Sequence, residues 1–191
     1  MPSMPQVQVA RLPWTERPVI QAMVGTAVFT ILTAIGAEIR IAIPGNPVPL
    51  TLQTLFVLLA GAALGPTWGA ASQLGYVALR IAGVPGFAGA LGGFMALAGP
   101  TGGYLIGFVL AAAVTGWVAD RGSRMSFPWV GFSMLLGMAV VYACGMAWLI
   151  VGLHLELADA FAMGVVPFVL GDALKLAAAA GLVRLGGGRV R

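Results

Sequence analysis

Hydrophobic positions in this chain cluster into long runs separated by short polar or Gly/Pro-rich stretches. Six runs, at about residues 18 to 39, 50 to 64, 66 to 82, 101 to 119, 128 to 151 and 160 to 184, approach the ~20 apolar residues with which an α-helix crosses about 30 Å of hydrocarbon. The second run is short, and Gly61, Gly65 and Pro66 predict a tight turn into the third. Residues 1–17, broken by Pro2, Pro5, Pro13, Arg11 and Arg17, hold no continuous apolar run and read as an irregular tail with Trp14 at the lipid headgroups. Residues 186–191 read as a second short tail. The expected fold is an all-α integral membrane protein, a bundle of six transmembrane helices over residues 18–185.

Composition narrows the picture. Of 191 residues, 60% are hydrophobic and only 8% charged, where a soluble surface needs about 25%. A water-soluble globule and a disordered chain are both excluded. The net charge of +4 is spread along the sequence without a basic patch, so nucleic acid is not an expected partner. The only lysine, Lys175, follows Leu174, which rules out a GxxxxGK[ST] phosphate loop; any ATP must be cleaved by a partner subunit. One cysteine, Cys144, and one histidine, His154, leave no internal disulfide and no Cys/His metal cluster. Neither metal nor cofactor is expected.

The arginines orient the bundle. With both termini cytoplasmic, the inner segments hold Arg11, Arg17, Arg121, Arg124, Arg184, Arg189 and Arg191, against Arg40 and Arg80 at the outer ends. The expected location is the bacterial plasma membrane. The outer connections 40 to 51 (RIAIPGNPVPLT) and 83 to 100 (GVPGFAGALGGFMALAGP) are long, apolar and rich in Gly and Pro. Such backbone is expected to fold over the bundle as a lid on a ligand pocket; a re-entrant segment without a ligand is the alternative.

The sixth run contains Asp172 and Lys175, three apart and therefore on one helix face. Near the middle of a span they cost about 5 to 7 kcal/mol together, so both must point into the bundle on a stripe with Gly164, Phe168, Gly171 and Ala179. Pro167 either bends this helix or marks its start. The pair is either the polar wall of a solute site, the favoured reading, or a structural ion pair that fixes register. A proton relay would need further titratable groups, and no other span has one near its middle. Gln73, Tyr76 and Arg80 form a second polar stripe; Arg80 either attracts a carboxylate or snorkels to the interface. Thr51 and Gln53 add polar groups where the second span begins, or cap it.

Ala22, Thr26, Thr30 and Ala34 recur every four residues, which lets another helix approach closely; a partner protein's helix is favoured over an internal one. Trp117, Trp129 and Trp148 fit interfacial belts, while Glu38, His154, Glu156 and Asp159 are expected at solvated outer ends. A rival class, an intramembrane enzyme, needs a nucleophile with its base or several carboxylates at membrane depth, and neither is evident. A ligand-free channel or assembly protein is a second rival.

Five motifs in order, IPGNPVPLTLQTLFVLL at 43 to 59, GAALGPTWGA at 61 to 70, the segment from Tyr76 to Gly89, GPTGGYLIGF at 99 to 108 and GDALK at 171 to 175, resemble the BioY family, the biotin-binding S components of energy-coupling-factor importers. The resemblance covers residues 18 to 185. It implies a non-enzymatic capture subunit that works with a transmembrane coupling protein and two ATPase subunits. It also implies a biotin site near the outer face built from Thr51, Gln53, Tyr76, Phe87, Gly103, Tyr104, Asp172 and Lys175, to which the polar stripe adds Gln73. Asp, Gln and Tyr suit the ureido group, aromatic and aliphatic groups the fused rings, and one cation the carboxylate. That cation is Lys175 or Arg80, with Lys175 favoured either in that role or as the group that keeps Asp172 ionised. The chain departs from the family pattern at Arg80, where a small residue is usual, and at Gly86, where Val is usual.

Overall fold

The computed structural model describes residues 19–84, 87, 93–122 and 127–185. The two expected tails, with Trp14, as well as Gly86 and Arg124, lie outside the described residues. The elements are α1 (Val19–Glu38), β1 (Arg40–Ile41), β2 (Leu50–Thr51), α2 (Gln53–Ile81), α3 (Met95–Ala98), α4 (Gly102–Arg121), α5 (Phe127–Leu153), α6 (Leu157–Gly164) and α7 (Val169–Leu185).

Gly65 breaks α2. Its φ of 82° and ψ of −177° lie in a region open essentially to glycine alone, and Pro66 next to it supplies no N–H to continue the ladder. The chain then doubles back. Gln53 hydrogen-bonds Tyr76, although a straight helix would hold them about 35 Å apart at 1.5 Å per residue, and Gly69 packs on the backbone of Gly61. Helix α2 is therefore a hairpin with legs 53–64 and 66–81, which realises the predicted turn. Gly116 of α4 lies against the backbone of that turn, locking α4 onto both legs.

Helix α1 packs along this hairpin. Ala22, Thr30 and Ala34 are buried and Thr26 is half-buried, while Thr30 Oγ1 donates to the Ser72 carbonyl at 2.8 Å. The small-residue stripe thus packs in the internal α1–α2 seam, the one of the two readings left open by its spacing that was not favoured. Small residues permit close approach without specifying which helix approaches. The opposite face of α1 exposes Ile20, Met23, Val24, Val28, Ile31 and Ile35.

Among the described residues, four helices, α1, α2, α4 and α5, are long and apolar enough to cross a membrane, and the α6–α7 pair, bent by 48°, makes a fifth candidate. Pro167 sits in that bend, as the sequence allowed. Because α7 starts after it, Asp172 falls in the first helical turn, where the macrodipole favours a negative charge.

The connection 40–51 departs from a purely helical fold. Arg40 pairs with Thr51 and Ile41 with Leu50 in a short antiparallel ladder. Asn46 fixes the intervening loop: its Nδ2 donates to the Met163 carbonyl of α6 at 2.8 Å and its Oδ1 accepts from Val48 N–H at 2.9 Å. Val48 is buried, and Leu50 packs over Gly171 of α7. The loop thereby lies across the ends of α6 and α7.

Candidate ligand-binding cavity

A cavity of about 390 Å³ lies between this loop, α2, α4, α5 and the start of α7, within the 300–1,000 Å³ usual for small-molecule sites. Ala37, Val48, Leu105, Phe108, Val141 and Phe168 supply apolar wall; Asn46, Thr51, Gln53, Thr54, Arg80, Thr101, Tyr104, Tyr142, Asp172 and Lys175 supply polar wall; Arg40 also lines it. Two polar clusters share the wall because Gln53 and Thr54, consecutive in the first turn of α2, are rotated about 100° from each other.

Thr54 joins the first cluster. Lys175 Nζ donates to Asp172 Oδ1 at 2.7 Å and to Thr54 Oγ1 at 3.1 Å. Asp172 Oδ1 also accepts from Thr54 at 3.0 Å, and Oδ2 accepts from Tyr142 at 2.6 Å. Both charged residues are buried, so the attraction and these hydrogen bonds offset their desolvation. An ammonium has three donors and a carboxylate about four acceptor directions. Among the described residues Lys175 therefore keeps one donor, and Asp172 one acceptor direction, beyond the bonds each makes. A charged couple with a hollow beside it, not one sealed in packing, is what the geometry presents.

Gln53 joins the second cluster. Its Nε2 donates to Tyr76 Oη at 2.7 Å, Arg80 Nη1 donates to the same oxygen at 2.7 Å, and Thr51 Oγ1 donates to Gln53 Oε1 at 3.1 Å. Arg80 is only 9% exposed and so does not snorkel to solvent. Its Nε has no hydrogen-bond partner among the described residues, and no described carboxylate forms an ion pair with it.

The remaining sequence candidates divide. Tyr104 lines the cavity, held by donation to the Gly164 carbonyl at 2.8 Å and by the tilted ring of Phe168 at 6.4 Å. Tyr76 stands behind the wall, orienting Gln53 and Arg80, and Phe87 stacks on it with ring centroids 6.4 Å apart. Gly103 does not face the cavity wall: it lets α4 approach Cys144 and Trp148 of α5. Gln73 is fully buried away from the cavity, between Ser72 (3.0 Å) and Thr33 of α1 (3.3 Å). Three residues apart, Gln73 and Tyr76 point about 60° away from each other on this tightly packed leg, which sends the first toward α1 and the second toward Gln53.

Sequence reasoning missed Thr54, Tyr142, Asn46 and Phe108. Tyr142 carried a signal, a hydroxyl in an apolar run that would need a partner at membrane depth. Asn46 carried one too, as the sole amide in a Gly/Pro loop whose one charge is Arg40.

Comparison with known proteins bears on this architecture. The model of the BioY family matches residues 6–190. The chain is 40% identical over 161 residues to the biotin transporter BioY of Thermotoga maritima, covering 84% of this chain and 92% of that protein. It is 43% identical over 155 residues to the probable biotin transporter BioY of Pyrococcus horikoshii, covering 80% and 88%. A crystal structure of the S-component for biotin from an ECF-type ABC transporter superposes with a TM-score of 0.79 at 26% identity, covering 87% of this chain and 90% of that one. With a match along nearly its full length and the same helical architecture, the chain is a multi-pass membrane protein that belongs to the BioY family.

Proposed function

We propose that this chain is the biotin-capture S subunit of an energy-coupling-factor importer. The observation that carries the reading is the cavity wall at Asp172 and Lys175. A buried couple with one acceptor direction and one donor still available matches a cyclic urea, which offers an N–H and a carbonyl side by side. Tyr104, Phe108 and Phe168 suit the fused rings, and the aliphatic wall suits the valeryl chain. The relatives named as biotin transporters support the choice of ligand.

The subunit acts by binding, not by catalysis, and uses no cofactor of its own. The sequence contains no phosphate loop, so any ATP used is cleaved by a partner; the family resemblance makes the partners a transmembrane coupling protein and two ATPase subunits. The chain sits in the bacterial plasma membrane with both termini cytoplasmic. It crosses the bilayer six times when the two legs of α2 are counted separately and α6–α7 as one crossing. The loop 40–51 lids the site at the outer face; the second expected lid, the connection 83–100, lies partly outside the described residues. Phe87 and Gly103 act indirectly, the first by backing Tyr76 and the second by setting the α4–α5 distance.

Equilibrium binding of biotin to the purified chain in nanodiscs tests this. Saturable 1:1 binding that weakens at least about tenfold in Asp172→Asn or Lys175→Ala, as expected for hydrogen bonds to charged groups, supports the site. Unchanged affinity in both variants contradicts it. Turnover of a substrate without partner subunits would instead favour an enzyme.

A further inference from the structure

We infer that Arg80 is the anion anchor of the cavity, and that it makes the subunit selective for the free acid of its ligand over neutral derivatives of the carboxyl group. The inference rests on the biotin-capture reading above. The charges that line the cavity are Arg40, Arg80, Asp172 and Lys175. Lys175 and Asp172 neutralise each other at 2.7 Å, which leaves two guanidinium groups. Arg40 is exposed on the short ladder, where water and salt screen it. Arg80 is buried and lines the same cavity. It spends one N–H on Tyr76, a neutral oxygen that leaves its charge uncompensated, and its Nε has no partner among the described residues. Glu38 at the end of α1 lies within electrostatic reach of the Tyr76 hydroxyl, but it is exposed to screening solvent and, among the described residues, forms no ion pair with Arg80.

A buried cation without a counterion is costly unless something anionic completes it. A guanidinium presents its donors in a fork suited to a carboxylate. Tyr76, Gln53 and Thr51 hold that fork in place through their hydrogen-bond chain. The ligand's two ends thus meet different clusters: the urea meets the compensated couple on α7, and the carboxylate meets the uncompensated cation on α2.

The test compares binding of biotin and of biotin amide, in which the carboxylate is replaced by a neutral carboxamide, to the wild-type chain and to Arg80→Gln, Arg80→Lys and Arg40→Gln. The wild type is expected to prefer the acid by about tenfold or more. Arg80→Gln is expected to lose that preference by weakening biotin alone, Arg80→Lys to retain part of it, and Arg40→Gln, whose exposed charge is screened, to reduce it less than Arg80→Gln does. A preference unchanged in Arg80→Gln overturns the inference. Equal loss of both ligands in Arg80→Gln also overturns it, by assigning Arg80 a structural role. Failure of the wild type to bind either ligand refutes the capture reading itself, a different outcome from both.

Discussion

The two polar clusters on the cavity wall solve opposite problems. On α7, Asp172 and Lys175 carry opposite charges within one helical turn and are tied down by Thr54 and Tyr142, so the cluster is stable without help. On α2, Arg80 is equally buried but leans only on neutral groups. A compensated couple can read hydrogen-bond pattern while staying neutral overall; an uncompensated cation reads charge. On the proposed reading, having both on one wall would let a single hollow recognise a neutral polar head and an anionic tail.

The comparison breaks most severely at α7. Asp172→Ala strands a buried ammonium and should cost about 3–5 kcal/mol of stability, with biotin binding lost. The double variant Asp172→Leu, Lys175→Met removes both charges; it should recover most of the stability in thermal unfolding and none of the binding. Recovery of binding would show that the couple is only structural. On α2 the effect is smaller and ligand-specific, as the acid-against-amide comparison at Arg80 measures. Smaller again is Asn46→Ala, which releases the loop 40–51 from Met163. Loss of its two neutral hydrogen bonds, to the Met163 carbonyl and from Val48 N–H, each about 0.5–1.5 kcal/mol, should raise the biotin dissociation rate several-fold in stopped-flow measurements and lower stability by less than Asp172→Ala does. An unaltered rate would mean that the loop does not retain the ligand.

How far the sequence reveals these features follows from what each one depends on. The hairpin at Gly65–Pro66 was legible because its cause is local, a backbone conformation and a missing donor. The inward face of Asp172 and Lys175 was legible because lipid forbids the alternative. The short ladder Arg40–Ile41 with Leu50–Thr51 was not, since two-residue strands carry no periodicity and form only when α1 and α2 bring their ends together. The direction of the Ala22, Thr30, Ala34 face was misread for a related reason: spacing reports that a helix approaches but not which one. Thr54 was overlooked beside Gln53 because neighbouring residues on a helix serve different walls, and the choice between Lys175 and Arg80 for a carboxylate depends on a 2.7 Å pairing that only coordinates reveal.

The most direct test of the whole account is a structure of the chain with biotin bound. The account predicts the ureido carbonyl within hydrogen-bonding distance of Lys175 Nζ, a ureido N–H on Asp172, and the carboxylate on the Arg80 guanidinium. A ligand bound in the reverse direction, or outside this cavity, would contradict it.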